Sequence, residues 1–179
     1  MYSFYRSDIC NSETIDLLKS AGINFSQHAS QGIDPVRFGE LLTMSGLVLN
    51  PAVTWITFHS LIDLAFLLRI LTGCDLPEKA SDFQSILSVF FPHLFDLKLL
   101  VANHQNYSGS IPKIARDLQV KEDRAVYQTA DESRLTILLF FKIRELVYNS
   151  AIDDKLNGKL FYLQSTRFYH VCSFKQLLF

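Results

Sequence analysis

Apolar residues recur along this chain with two periods, and the alternation between them outlines its elements. In "SETIDLLKSAG" (12–22), Ile15, Leu18 and Ala21 fall on one helical stripe and Gly22 stands at the stop position. "IDPVRFGELLTMSG" (33–46) predicts a second helix: Asp34 can cap it, Pro35 suits its first position, Phe38, Leu41 and Leu42 form a face, and Gly46 ends it. "AVTWITFH" (52–59) is rich in β-branched and aromatic residues and reads as a buried strand. "SLIDLAFLLRILTG" (60–73) comes next as a helix apolar almost all round, stopped by Gly73. "PEKASDFQSILSVFF" (77–91) places Phe83, Ile86, Leu87 and Phe90 at helical spacing. "HLFDLKLL" (93–100) reads as a second strand, "GSIPKIARDL" (109–118) as a short helix and "DESRLTILLFFKIRELVYN" (131–149) as a long one. Helices alternating with strands imply an α/β fold with helices covering a sheet. The last stretch, "QSTRFYHVCSFKQLLF" (164–179), is apolar and aromatic without a period, and stays unassigned.

The totals narrow the class. The 179 residues suffice for one domain, and 49% hydrophobic with 20% charged residues is not a disordered composition. A net charge of −1 argues against broad electrostatic capture of nucleic acid, so an RNA site would be local. Cys10, Cys74 and Cys172 form no CxxC pair, and the five histidines show no HxxxH spacing, which argues against zinc and fits a reducing compartment. "MYSFYRSDIC" has no signal-peptide character, and the greasiest segments fall short of the roughly 20 apolar residues a membrane span needs. These features predict a soluble, intracellular protein with no membrane partner.

Several residues could carry chemistry. Asp63 lies among Leu61, Ile62, Leu64, Ala65 and Phe66, where a carboxylate needs a partner. Ser60-x-x-Asp63 is close to a capping box, and the residues alone favour that reading over a metal ligand at a strand end. In "VYQTADESRLT" (126–136), Thr129-x-x-Glu132 is likewise a capping box and Asp131 suits a first helical turn. The functional alternative lines a metal-dependent phosphodiester site with Tyr127 and one of these acids, but such a site needs three or four converging carboxylates. Asp96 and Lys98 read as a solvent-facing pair at period two on the second strand. Lys113, Arg116, Lys121 and Arg124, interleaved with acids, read as a solvated surface.

The order of five segments changes this picture. "TIDLLKSAGINFSQHASQGIDPVRFGELLTMSGLVL", "VTWITFHSLIDLAFLLRILTGCDLPE", "FFPHLFDLKLL", "VYQTADESRLT" and "IDDKLNGKLFYL" succeed one another in a single register. From residue 2 to about residue 163 the chain resembles the CCR-associated-factor (Pop-type) deadenylases, catalytic subunits of the CCR–NOT complex. The resemblance implies the ribonuclease H-like α/β fold of the DEDD 3′–5′ exonucleases, poly(A) RNA as substrate, AMP as product and two divalent ions, Mg²⁺ or Mn²⁺, held by four acids. It implies action in mRNA decay and transcription regulation, in nucleus and cytoplasm, and no DNA partner. It also implies a partial deadenylase domain over 1–163 and an unassigned tail over 164–179.

Residue by residue, Asp63 in "FHSLIDLAFLLR" occupies the family's third acid, which displaces the capping preference. Tyr127 stands where the family has its histidine, and Glu132 where it has its fourth acid, an aspartate. A phenol with a pKa near 10 is a poor general base at neutral pH. Another DEDD branch uses tyrosine with an aspartate four residues later, and Tyr127-x-x-x-Asp131 has that spacing, so Asp131 is the alternative ligand to Glu132. The remaining matches are to the histidine branch. The family's first two acids form a D-x-E on its central strand, and this chain has no D-x-E. The expected domain is therefore one without the first strands, with divalent ions bound weakly if at all and with hydrolysis impaired. Three readings are consistent with it: a deadenylase-family enzyme with impaired catalysis, a non-catalytic subunit or competitor docked on the CCR–NOT complex or degenerate paralogue, and an α/β domain with no surviving role.

With a net charge of −1 and an incomplete sheet, oligo(A) binding should be weak and fall steeply with salt. Fluorescence anisotropy across a salt series measures this; submicromolar affinity at physiological salt would contradict it.

Overall fold

The computed structural model of the chain describes residues 12–104, 107–120 and 129–163, excepting the side chains of Thr14, Thr129, Ala130 and Asp131. Three helices come first: α1 (Ser12–Ser20), α2 (Phe25–Gln31) and α3 (Pro35–Met44). The strand β1 (Thr54–Thr57) leads into α4 (Leu61–Thr72) and α5 (Ala80–Phe90), and the chain returns as β2 (His93–Asp96). Beyond it lie α6 (Leu97–Leu100), α7 (Ile111–Asp117), α8 (Thr129–Leu146) and a 3₁₀ turn at Asp154–Leu156.

Local signals account for several boundaries. Asp34 caps α3 by accepting from the N–H groups of Val36 and Arg37, and Pro35 opens the helix. Gly73 closes α4 in the left-handed region at φ 64°, where its N–H bonds the Arg69 carbonyl. The short helix α2 has no counterpart among the elements that the hydrophobic pattern predicts. "FSQHASQ" carries no apolar stripe and buries nothing; the Asn24 side chain starts it by accepting from Gln27 N–H.

Among the described residues the sheet is a parallel pair, β1 with β2, in register Trp55↔Leu94 and Ile56↔Phe95. Successive side chains of a strand point to opposite faces, so the pair has two sides to cover. Trp55 and Leu94 face a core of Leu61, Leu64, Leu68, Phe83, Leu87 and Phe91, supplied by α4, α5 and the residue after α5. Trp55 meets Phe91 edge-on, with ring centroids 5.0 Å apart. Ile56 and Phe95 face the second core, in which Ile114 and Ala115 of α7 meet Leu139, Phe140 and Ile143 of α8. Helices on both faces of parallel strands are the expected α/β arrangement.

Two strand expectations need correction. β1 is half-buried rather than buried, and only Thr54–Thr57 of "AVTWITFH" is extended. "HLFDLKLL" is not one strand: pairing stops at Asp96 and Leu97–Leu100 is helical. The break occurs because Asp96 turns its carboxylate to cap α6, accepting from Lys98 N–H at 3.0 Å. The outer edge of β2 is closed by a later segment. Leu94 N–H donates to the Asn157 side chain at 2.9 Å, and Gly158 N–H donates to Leu94 carbonyl at 2.8 Å. No helix among the described residues is long and apolar enough to cross a membrane. The stretch 164–179 lies outside the described residues.

Gly39 is where α3 and α4 touch. A Cβ there would lie 2.7 Å from the backbone oxygen of Ile70, which cannot swing aside like a side chain. Gly39→Ala gains about 1 kcal/mol of helix propensity. Forcing the helices apart costs about 1–3 kcal/mol. A net loss of stability of roughly 1 kcal/mol is expected, read as a lower urea midpoint; a raised midpoint would show that α3 yields freely.

Candidate functional site

The strands end side by side, β1 at Thr57 and β2 at Asp96, and the turns and helices that leave those ends build the candidate site. Open α/β sheets bind ligands outside the carboxyl ends of their strands. Asp63 lies there, in the first turn of α4, with its side chain exposed. The capping box expected of Ser60 does not form: the Ser60 hydroxyl donates instead to the Thr57 hydroxyl at 2.7 Å, and α4 begins without a side-chain cap. Asp63 is thus free of the structural duty that its sequence context offered.

Glu132 lies in the first turn of α8 and is exposed. Its backbone carbonyl accepts from the Thr136 hydroxyl at 2.7 Å. Phe140 joins α8 to the sheet, its ring 5.6 Å from that of Phe95. Tyr127 and the side chains of Asp131 and of Thr129, the expected cap of Glu132, lie outside the described residues. Of the basic residues, Lys113 pairs with Asp117 at 2.8 Å on the surface of α7, whereas Lys121 and Arg124 lie outside the described residues.

The carboxylates of Asp63 and Glu132 offer the hard oxygen donors that Mg²⁺ and Mn²⁺ take. In that chemistry the donors fit a divalent ion. In number they fall short, for among the described residues no three His, Cys, Asp or Glu side chains gather as a metal-holding group.

The residue that organises this end of the sheet is Asp96, which sequence reasoning placed on a solvent-facing strand. It is 1% exposed. One carboxylate oxygen accepts from His59 N–H at 2.7 Å and from Lys98 N–H at 3.0 Å; the other accepts from Phe161 N–H at 3.1 Å. Three segments distant in sequence therefore meet at one side chain. Burial pushes its carboxyl above the usual range, while the three N–H donors and the His59 ring pull it down by less. A clue was present in the sequence: an aspartate between an apolar strand and "LKLL" is suited to cap a helix.

Around Asp96 the rings close ranks. His59 sits 5.8 Å from Phe161 and 4.9 Å from Tyr162, centroid to centroid. The Lys98 ammonium lies 5.6 Å from the Phe58 ring and 5.7 Å from the Phe161 ring, and donates to Gly109 carbonyl at 2.8 Å. His59 itself adopts φ 57°, a left-handed conformation uncommon outside glycine.

Residues 46–138 match the CAF1 family ribonuclease model. Poly(A) ribonuclease pop2 of Schizosaccharomyces pombe is 39% identical over 161 residues, which are 90% of this chain and 48% of that protein. A structure of S. pombe Pop2p with Mg²⁺ and Mn²⁺ bound superposes with a TM-score of 0.77 at 38% identity, covering 89% of this chain and 64% of that one. A yeast CAF1 co-crystallised with the NOT1 MIF4G domain gives a TM-score of 0.72 at 30% identity, covering 89% of this chain and 64% of that one. The chain spans about half the length of the curated relatives it matches.

Asp96 also generates a pH dependence. Its folded pKa stands above the ordinary value of 3.8, so between the two the native state holds more proton than the unfolded state. Stability from this group is therefore full below about 3.8 and is lost as pH rises through the raised folded pKa. The difference in unfolding free energy between the unaltered chain and Asp96→Asn should shrink as pH rises through that window, measured by urea titration at a series of pH values. A difference that widens would mean that the three N–H donors outweigh burial.

Proposed function

Because the chain belongs to the CAF1 family of ribonucleases, with the family match covering residues 46–138, we propose that it serves poly(A) shortening as a subunit of the CCR–NOT complex, with hydrolysis impaired. The single observation that carries this reading is that the match encloses Asp63, standing exposed and uncapped at the carboxyl end of β1. Poly(A) RNA is the nucleic-acid partner in this reading and DNA is not. Its place is in mRNA decay and transcription regulation, in nucleus and cytoplasm. Residues 1–163 form the partial deadenylase domain and 164–179 its tail.

Asp63 would hold Mg²⁺ or Mn²⁺, with Glu132 or, in the alternative, Asp131 as second ligand. Two such ions, when bound, activate water and neutralise the leaving oxygen of a phosphodiester. What this chain's own residues add is weaker than the chemistry requires. Tyr127 puts a phenol at the family's histidine position, and a phenol is a poorer general base at neutral pH than an imidazole. Glu132 is one methylene longer than the aspartate of the family, and misplacing a ligand by about 1 Å costs on the order of a hundredfold in rate. These two departures favour a second reading, a non-catalytic interaction subunit that keeps the docking surface and loses the hydrolysis. The co-crystal of yeast CAF1 with the NOT1 MIF4G domain supports the docking part.

The test is a restoration series assayed for AMP release from oligo(A) with Mn²⁺, beside capture on a NOT1 MIF4G domain. The unaltered chain should be captured and release little AMP. Activity should appear only when the family's D-x-E strands are placed ahead of Met1 and Tyr127→His and Glu132→Asp are both made. It should vanish again with Asp63→Asn. A chimera fully active with Tyr127 and Glu132 unchanged, and killed by Asp131→Asn alone, would establish the tyrosine branch instead.

A further inference from the structure

Asp96 is a buried carboxylate whose hydrogen-bond donors are all neutral backbone groups. No side-chain donor reaches it among the described residues, and the Lys98 ammonium is turned to Gly109 carbonyl and two aromatic faces. An apolar residue at a core position avoids the desolvation that a carboxylate suffers there. The shortest of its contacts, at 2.7 Å, goes to the N–H of His59, a residue held at φ 57°. A side chain with a Cβ is strained in that region, and such strain persists only where surroundings enforce it. Two features that each destabilise the fold are thus joined to one another, and both sit in the turn that launches α4.

We propose that Asp96 is a positioning residue: through His59 N–H it holds the β1–α4 turn in its left-handed form, and so sets the direction in which Asp63 is presented. The inference deepens the reading given above and rests on Asp63 being a metal ligand. The path is short. His59 precedes Asp63 by four residues, and Leu64 N–H bonds Ser60 carbonyl at 2.9 Å, which closes the first turn of α4 around Asp63. A second tie supports the first, for the Ser60 hydroxyl bonds the Thr57 hydroxyl, which lies 3.4 Å from Phe95 carbonyl on β2. Both ties anchor the turn to β2, so the orientation of Asp63 relative to the sheet depends on β2 although no β2 residue is a proposed ligand. Partners that orient a metal ligand typically change metal affinity by about 10–100-fold when removed.

The experiment measures Mn²⁺ affinity of the full chain by electron paramagnetic resonance of the free ion. Asp63→Asn should abolish the binding and Asp96→Asn should weaken it about tenfold. Loss of a negative charge alone would also weaken it, so two changes that spare every carboxylate discriminate, the second read against His59→Gly alone because it also removes the ring beside Asp96. Ser60→Ala, which cuts the second tie without altering charge, should weaken binding several-fold. His59→Gly, added to Asp96→Asn, should recover most of the lost affinity, because glycine adopts φ 57° unaided. A merely structural carboxylate predicts no rescue. If Asp96→Asn does not fold, Ser60→Ala decides alone. Binding that depends on Asp63 but is indifferent to Ser60→Ala, or unrescued by His59→Gly, overturns the positioning role. Absence of Mn²⁺ binding to the unaltered chain overturns the metal reading and this inference together.

Discussion

A carboxylate taken out of water must find donors, and Asp96 finds three, none of them on its own strand. His59 lies 37 residues before it and Phe161 lies 65 after it. Lys98 lies in the first turn of the helix that Asp96 caps. Unmaking any of these bonds would leave a buried charge poorly satisfied, so the end of β1, the start of α6 and the segment around Phe161 are fixed relative to one another. The rings of His59, Phe161 and Tyr162 pack over that junction and Lys98 spans two aromatic faces beside it. Removing the carboxylate would uncouple the strand ends from the elements that lie beyond them.

The same logic extends to the edge of the sheet. A strand edge exposes backbone groups that pair with whatever is offered. On β2 that demand is met within the chain: Asn157 takes Leu94 N–H and gives its amide to Pro92 carbonyl, while Gly158 donates to Leu94. Gln84 of α5 then donates to Gly158 carbonyl at 2.6 Å, tying this cover to the α4–α5 side of the core. Hydrogen bonding and packing thus act on the same segment, and "IDDKLNGKLFYL" is an edge cover as well as a stretch of family resemblance.

Against this ordered scaffold, the proposed chemistry rests on few groups. Asp63 and Glu132 both stand in first helical turns, exposed, where an acid is favoured by the helix dipole with or without catalysis. What distinguishes Asp63 is the strained, hydrogen-bonded turn before it. The segment that leads into Glu132 lies outside the described residues. Large apolar side chains remain exposed on α8, including Ile137, Leu138 and Phe141, the last lying under the Arg144 guanidinium at 5.1 Å.

Local chemistry made much of the fold legible. The proline and capping aspartate of α3 and the left-handed glycine after α4 act within one turn of the residues they control, so sequence alone determined those helices. The resemblance determined the family and pointed to Asp63. The capping role of Ser60 was misread because its hydroxyl had a competing partner, Thr57, whose position depends on the strand rather than the helix. Helix α2 was missed because it buries nothing, leaving no apolar period to read. Only tertiary structure decided the fate of Asp96. A period-two pattern cannot distinguish a carboxylate facing water from one facing donors contributed by residues 37 and 65 positions away. Long-range donors of that kind exist only once the chain has folded, and they are what turned a surface residue on paper into the buried centre of the site.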